Sequence, residues 1–178
     1  MSVGICCVGF LGVGLLVAVG VYPLLHEVGH LLAAVLTGNT ITDVALFPVS
    51  FVQYRAAAHH PGETWLIGLS GPCLPMVLGL FWRPKSFWLW YGNWVLGGIS
   101  FLSFLFTFTA IFGTWIGLNL PQDDLVFLVD LYPKSRWLLG GFSAACVLII
   151  GQSLRRQTPL KRVQNYGYSS AKKRRCRH

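Results

Sequence analysis

Two histidines and a glutamate carry the strongest chemical signal in the chain, in the run His26-Glu27-Val28-Gly29-His30. Residues four apart share one face of a helix. His26 and His30 can therefore direct imidazole nitrogens at one metal ion, with Glu27 beside them as a general base for water. Zn²⁺ suits the pattern: it accepts nitrogen and carboxylate ligands, takes three from the protein at a catalytic site, and lowers the pKa of its water to about 7. The motif lies in an apolar run, residues 3–36, whose sole formally charged side chain is Glu27. An ionisable group at the centre of a membrane helix costs about 2.5–3.5 kcal/mol on insertion scales, which a bound cation would offset. The alternative is a neutral, hydrogen-bonded histidine pair beside a protonated glutamate. It explains a lone histidine better than it explains all three residues at this spacing.

A third ligand must come from few candidates. The other acidic residues are Asp43, Glu63, Asp123, Asp124 and Asp130, and the other histidines are His59, His60 and His178. With four spans, the loop holding Asp123 and Asp124 returns to the end of the bundle where the first span finishes. This favours Asp123, then Asp124, with His59 or His60 as alternative ligands. The competing account of Asp123-Asp124 is a solvated acidic turn after Pro121, and Asp43 reads as a hairpin cap.

The elements that must position these groups are membrane-like. Of the 178 residues, 54% are apolar and 11% charged, against about 25% charged in soluble proteins, and mean hydropathy is +0.58. Such a chain cannot clothe a water-facing surface. The first run, residues 3–36, would extend about 50 Å as a helix, more than the roughly 30 Å hydrocarbon core. It must tilt, kink near Pro23 or project, and Gly38-Asn39 is its stop signal. Residues 40–58 are rich in strand formers interrupted by Pro48 and read as a short β-hairpin or extended segment. Further spans are expected at about 64–82, 94–116 and 137–154, the third preceded by an interfacial cluster of Phe87, Trp88, Trp90, Tyr91 and Trp94. The expected fold class is an all-α membrane protein of about four transmembrane helices, with the hairpin after the first.

Residues 1–154 form the membrane domain in this reading, and residues 155–178 a basic, disordered tail. Nine of the 14 Lys and Arg residues lie between Arg155 and Arg177. With Arg83 and Lys85 they fall on one side of a four-span topology, opposite Arg55, Lys134 and Arg136. The positive-inside rule then makes the protein multi-pass with its tail in the cytoplasm. The tail reads as an anchor to anionic lipid; without an ordered module, or interleaved aromatics beyond Tyr166 and Tyr168, it gives no expectation of nucleic-acid binding. The five cysteines show no zinc-finger spacing and imply no disulfide framework.

The run Leu25-His26-Glu27-Val28-Gly29-His30-Leu31-Leu32-Ala33-Ala34-Val35-Leu36-Thr37-Gly38 resembles the first signature of site-2 protease-like zinc metallopeptidases, above all their small membrane-embedded members. Their second signature is similar to Gly71-Pro72, with Pro75 standing where an Asn is usual. A reduced form of the third is Asn119-Leu120-Pro121-Gln122-Asp123-Asp124. The resemblance spans roughly residues 8–130. It implies hydrolysis of peptide bonds in or beside the bilayer, with membrane proteins or peptides as substrates. His26, His30 and Asp123 would be the zinc ligands, Glu27 the base, and Gly71 and Pro72 substrate-positioning residues. Known members often place the site toward the cytoplasm, whereas the charge distribution here puts it on the other side. A second reading is a catalytically inactive binding or assembly module that retains the metallopeptidase fold, which Pro75 favours. A metal transporter is a third, disfavoured by the scarcity of other polar residues within the spans.

Overall fold

The computed structural model describes residues 3–45, 50–55, 61–113, 116–118, 120 and 123–157. Its elements follow from a few local constraints. Pro23 has no N–H to offer the carbonyl four residues earlier. The ladder of the first helix slips there: α1 (Val3–Leu16) passes into a π-helical turn, Val17–Val21, before α2 (Tyr22–Leu36), and the Tyr22 N–H donates to the Val17 carbonyl. The irregularity expected near Pro23 is thus a π-bulge one turn before it.

α2 ends as its sequence demands. Gly38 adopts φ +76°, its N–H donates to Val35 O at 3.0 Å, and the Asn39 N–H reaches Ala34 O at 2.9 Å. This is a Schellman stop, which glycine enters without a Cβ penalty. Next, β1 (Thr40–Ala45) and β2 (Phe51–Arg55) pair antiparallel, with Val44 opposite Val52. A register shift between Ile41 and Asp43 leaves Thr42 as a bulge. The expected capping role of Asp43 reduces to accepting from the adjacent Val44 N–H at 2.8 Å. Pro48 lies outside the described residues.

The remaining helices are α3 (Pro61–Phe81), α4 (Phe87–Gly113), α5 (Asp124–Leu131) and α6 (Arg136–Arg156), with a 3₁₀ turn, Pro133–Ser135, before the last. Four helical stretches are long and apolar enough to cross a membrane: Val8–Leu36, Gly62–Phe81, Phe87–Gly113 and Pro133–Arg156. The fold class is the expected one, all-α with a two-stranded hairpin after the first helix. Two boundaries differ. The aromatic cluster does not precede the third span but forms its first turns, where Phe87, Trp88 and Tyr91 surround Phe10 of α1 at ring-centroid distances of 5.9, 5.4 and 4.9 Å. α6 continues through Arg155 and Arg156, so the tail's first two cations are helical.

The core lies among α3, α4, α5 and α6, where Phe104, Ile111, Leu125, Leu128, Leu139 and Ile150 are each 1% exposed. Cys146 belongs to it, and Cys73 packs against it; both are free thiols. In contrast, Val8, Leu11, Leu15 and Val19 of the first stretch are exposed, an apolar surface suited to lipid.

Replacing Gly38 by alanine forces a side chain into the left-handed region and should lower stability by about 1 kcal/mol. Gly98, inside α4, has open space at the Cβ position, and its alanine variant should be neutral or slightly stabilised. Thermal midpoints in one detergent compare the two.

Candidate metal centre

His26 and His30 sit one turn apart on α2, and their Nε2 atoms lie 3.2 Å from each other. Asp124, at the start of α5, brings one carboxylate oxygen within 2.8 Å of His26 Nε2 and 3.1 Å of His30 Nε2. The three donor atoms converge although Asp124 is 94 and 98 residues from the histidines in sequence. For a tetrahedral ion with bonds of 2.0–2.1 Å, the edge between ligand atoms is about 3.3 Å. The observed spacings are close to that edge, slightly contracted for the His26–Asp124 pair. Two imidazoles and a carboxylate form a donor set that zinc accepts.

The order of the two aspartates is the reverse of the expected one. Asp123 does not face the histidines: it caps α5, its Oδ1 accepting from the Leu125 and Val126 N–H groups at 3.1 and 2.8 Å. Its other oxygen accepts from the Thr107 hydroxyl of α4. Both oxygens are committed to ending loop and starting helix, a strong N-cap arrangement. The next residue, Asp124, is thereby turned toward α2. His59 and His60 lie outside the described residues.

The neighbouring helix orients His30. Its Nδ1–H donates to the Ile67 carbonyl of α3 at 2.8 Å, which leaves the Nε2 lone pair pointing into the cluster. His30 is 9% exposed. His26 Nδ1 is buried without a hydrogen-bond partner among the described residues. Two glycines permit the close packing. A Cβ on Gly29 would collide with the Ser70 carbonyl, and one on Gly71 would collide with His30 Nε2 and lie 2.9 Å from His26 Nε2. Gly71, expected as a substrate-positioning residue, lies directly against both imidazoles, followed by buried Pro72 and Pro75. Each proline deletes one helical N–H, so the carbonyls of Gly68 and Gly71 lose their partners in the α3 ladder.

On its open side the cluster meets a cavity of about 280 Å³. Glu27, His30, Tyr54, Asp124, Phe127 and Leu128 are among its lining residues. Glu27 is one position from His26, is half-buried, and is faced by the Val52 backbone amide of β2. Burial, then the Asp124 charge, raises the pKa of the Tyr54 hydroxyl, so it stays protonated and can donate into the cavity. Burial alone would raise Asp124. Hydrogen bonds from His26 and His30 outweigh it and hold the carboxyl well below the ordinary carboxylate range. Three contributors lie outside the residues singled out from the sequence. The helix α5 had a signal, an Asp N-cap before the apolar run Leu125–Val129; Thr107 and Tyr54 had none, because only the fold brings them in.

No protein-family model, curated protein or solved structure matches the chain.

Gly71→Ala should displace the imidazoles and weaken any zinc binding by the cluster about 10–100-fold, while Gly98→Ala leaves it unchanged; competition with a chelator measures both. Asp123→Asn, which keeps a capping oxygen, should retain stability and the metal affinity of wild type. Asp123→Ala should cost about 0.5–2 kcal/mol of stability in the same thermal assay.

Proposed function

We propose that the chain is a membrane-embedded zinc metalloendopeptidase that hydrolyses peptide bonds in or near the bilayer. The observation that carries this reading is the convergence of Asp124 with both histidines beside a cavity lined by Glu27. His26, His30 and Asp124 would hold the metal, and zinc there would supply Lewis acidity toward a carbonyl.

The chain's own residues divide the remaining work. Glu27 has its carboxylate on the cavity side, where it can take a proton from water and return it to the departing amine. The Tyr54 hydroxyl is a donor available to a carbonyl oxygen that gains charge. Ile67, Phe51, Phe127 and Leu128 give the cavity apolar walls, suited to the side chains of a membrane-spanning or membrane-adjacent peptide. α2, α3 and α5 surround the histidines and limit bulk water. The resemblance of residues 25–38 and of Gly71-Pro72 to site-2 protease-like metallopeptidases points the same way. In this reading the four apolar stretches each cross the bilayer, the basic tail faces the cytoplasm, and the metal centre opens toward the other side.

One feature favours an inactive binding module instead. Pro75 is almost fully buried and offers no side-chain hydrogen bond where the resembled family has an amide.

Purified wild type should contain about one zinc per chain, with His26→Ala and Asp124→Ala depleted of it. Glu27→Gln should keep the metal and abolish cleavage of single-span peptides in mixed micelles. A zinc-free wild type overturns the proposal, and retained zinc with no cleavage by wild type above the Glu27→Gln background selects the inactive module. A metal competes with protons for the imidazole nitrogens, so zinc affinity should fall as pH drops, with protons released on binding. Titration calorimetry in buffers of different ionisation enthalpy reads that release.

A further inference from the structure

A second site lies at the other end of the bundle. From Ile67, which holds His30, to Leu80 is about 20 Å along α3. There α3 and α6 finish side by side and enclose a groove of about 420 Å³, lined by Leu80, Phe81, Arg83, Ser153, Arg156 and Gln157 among others. Its contents are amphipathic in a definite order. Phe81 and Ile149, 77% and 55% exposed, form an apolar flank below, and the polar groups crown it where two long apolar helices end.

Among the described residues the crown lacks negative charge. Arg83 makes two long contacts among the described residues, to the Gly79 carbonyl and the Ser153 hydroxyl, both at 3.4 Å. Neither Arg83 nor Arg156 forms an ion pair among the described residues. Among the described residues no carboxylate belongs to the ends of α3 and α6 that form the groove. Glu27, Asp43, Glu63, Asp123, Asp124 and Asp130 all belong to α2, the hairpin, the first turn of α3, or the start and body of α5. Gln157 adds a complementary need: its Oε1 is buried without a donor among the described residues, a state buried acceptors rarely keep.

We infer that this groove is a binding site for one anionic phospholipid with a hydroxyl-bearing headgroup, such as phosphatidylglycerol. The two guanidinium groups present planar donor arrays to the phosphodiester. The headgroup hydroxyl satisfies Gln157, and the acyl chains follow Phe81 and Ile149. This differs from diffuse attraction of the tail to a charged surface, because it requires particular residues and a fixed stoichiometry. It is independent of the metal centre.

Native mass spectrometry of the full chain, released from micelles containing phosphatidylglycerol or phosphatidylcholine, tests it. Wild type should retain one phosphatidylglycerol, and that lipid should raise the thermal midpoint more than phosphatidylcholine does. Arg83→Gln with Arg156→Gln should weaken retention at least about tenfold. A full-length variant with the same charge loss in the tail, Lys172→Gln with Lys173→Gln, should retain the lipid. Should the double variant fail to fold, Arg156→Gln alone, on the exposed last turn of α6, carries the comparison. The inference is overturned if phosphatidylcholine is held equally, if inorganic phosphate alone reproduces the midpoint shift, if the groove variant binds as wild type does, or if the tail variant loses as much.

Discussion

The contact between the Asp124 carboxylate and the two imidazoles is the constraint on which the arrangement of the first helix, α3 and α5 depends. Two imidazoles are placed within apolar helices, where an unpaired ionisable group is costly, and the Asp124 carboxylate meets them from the cavity side. They can occupy that space together because each offers the others a hydrogen-bonding partner or a shared cation. Satisfying them requires α5 to fold back under the bundle mouth, which its apolar face permits, as Leu125, Val126, Leu128 and Val129 are all buried. It also requires α2 and α3 to approach so closely that neither Gly29 nor Gly71 can carry a side chain. Helix packing in a membrane gains little from hydrophobic segregation and much from such close backbone contact. The small residues that make the interface possible therefore also bring the Ile67 carbonyl within reach of His30.

Helical regularity is interrupted where this arrangement needs it. The π-turn at Val17–Val21 absorbs the missing N–H of Pro23 just before the turn that carries His26. Pro72 and Pro75 free α3 carbonyls beside the imidazoles. Non-helical or unpaired backbone at membrane depth is tolerated where protein or a water-bearing cavity receives it, and the cavity that reaches Glu27 and Gly68 is such a place. The hairpin contributes Tyr54 and the Val52 amide to the same cavity from outside the apolar helices.

Much of this was legible from residues alone, and what was not has definite causes. Period, length and charge scarcity marked the four apolar helices, and Gly38-Asn39 marked the end of α2, because those signals are local. The His-Glu-x-x-His spacing placed its residues on one helix face for the same reason. Choosing between Asp123 and Asp124 was beyond a local argument. At a helix start, a shift of one residue exchanges the capping position with the first helical one. The Thr107 hydroxyl that helps hold Asp123 in the cap comes from another helix. α5 itself has only eight residues, too short for periodicity to separate it from a loop leading into the next span. The aromatic cluster misled in the opposite direction: its composition suits an interface, yet those rings also suit helical packing around Phe10, and packing set the boundary of α4.

Charge is segregated along the molecule more sharply than its net value of +8 suggests. Every acidic residue belongs to the elements around the His26–His30–Asp124 end, while Arg83, Lys85, Arg155 and Arg156 gather where α3 and α6 finish. Such a division has two physical consequences at once. At one end, carboxylates are available to bind a cation and to accept protons from water. At the other, cations that form no ion pair among the described residues are open to anions from outside the chain, and at a bilayer surface the available anions are lipid headgroups. The polarity that orients the helices would then also decide which end does chemistry and which end holds the membrane.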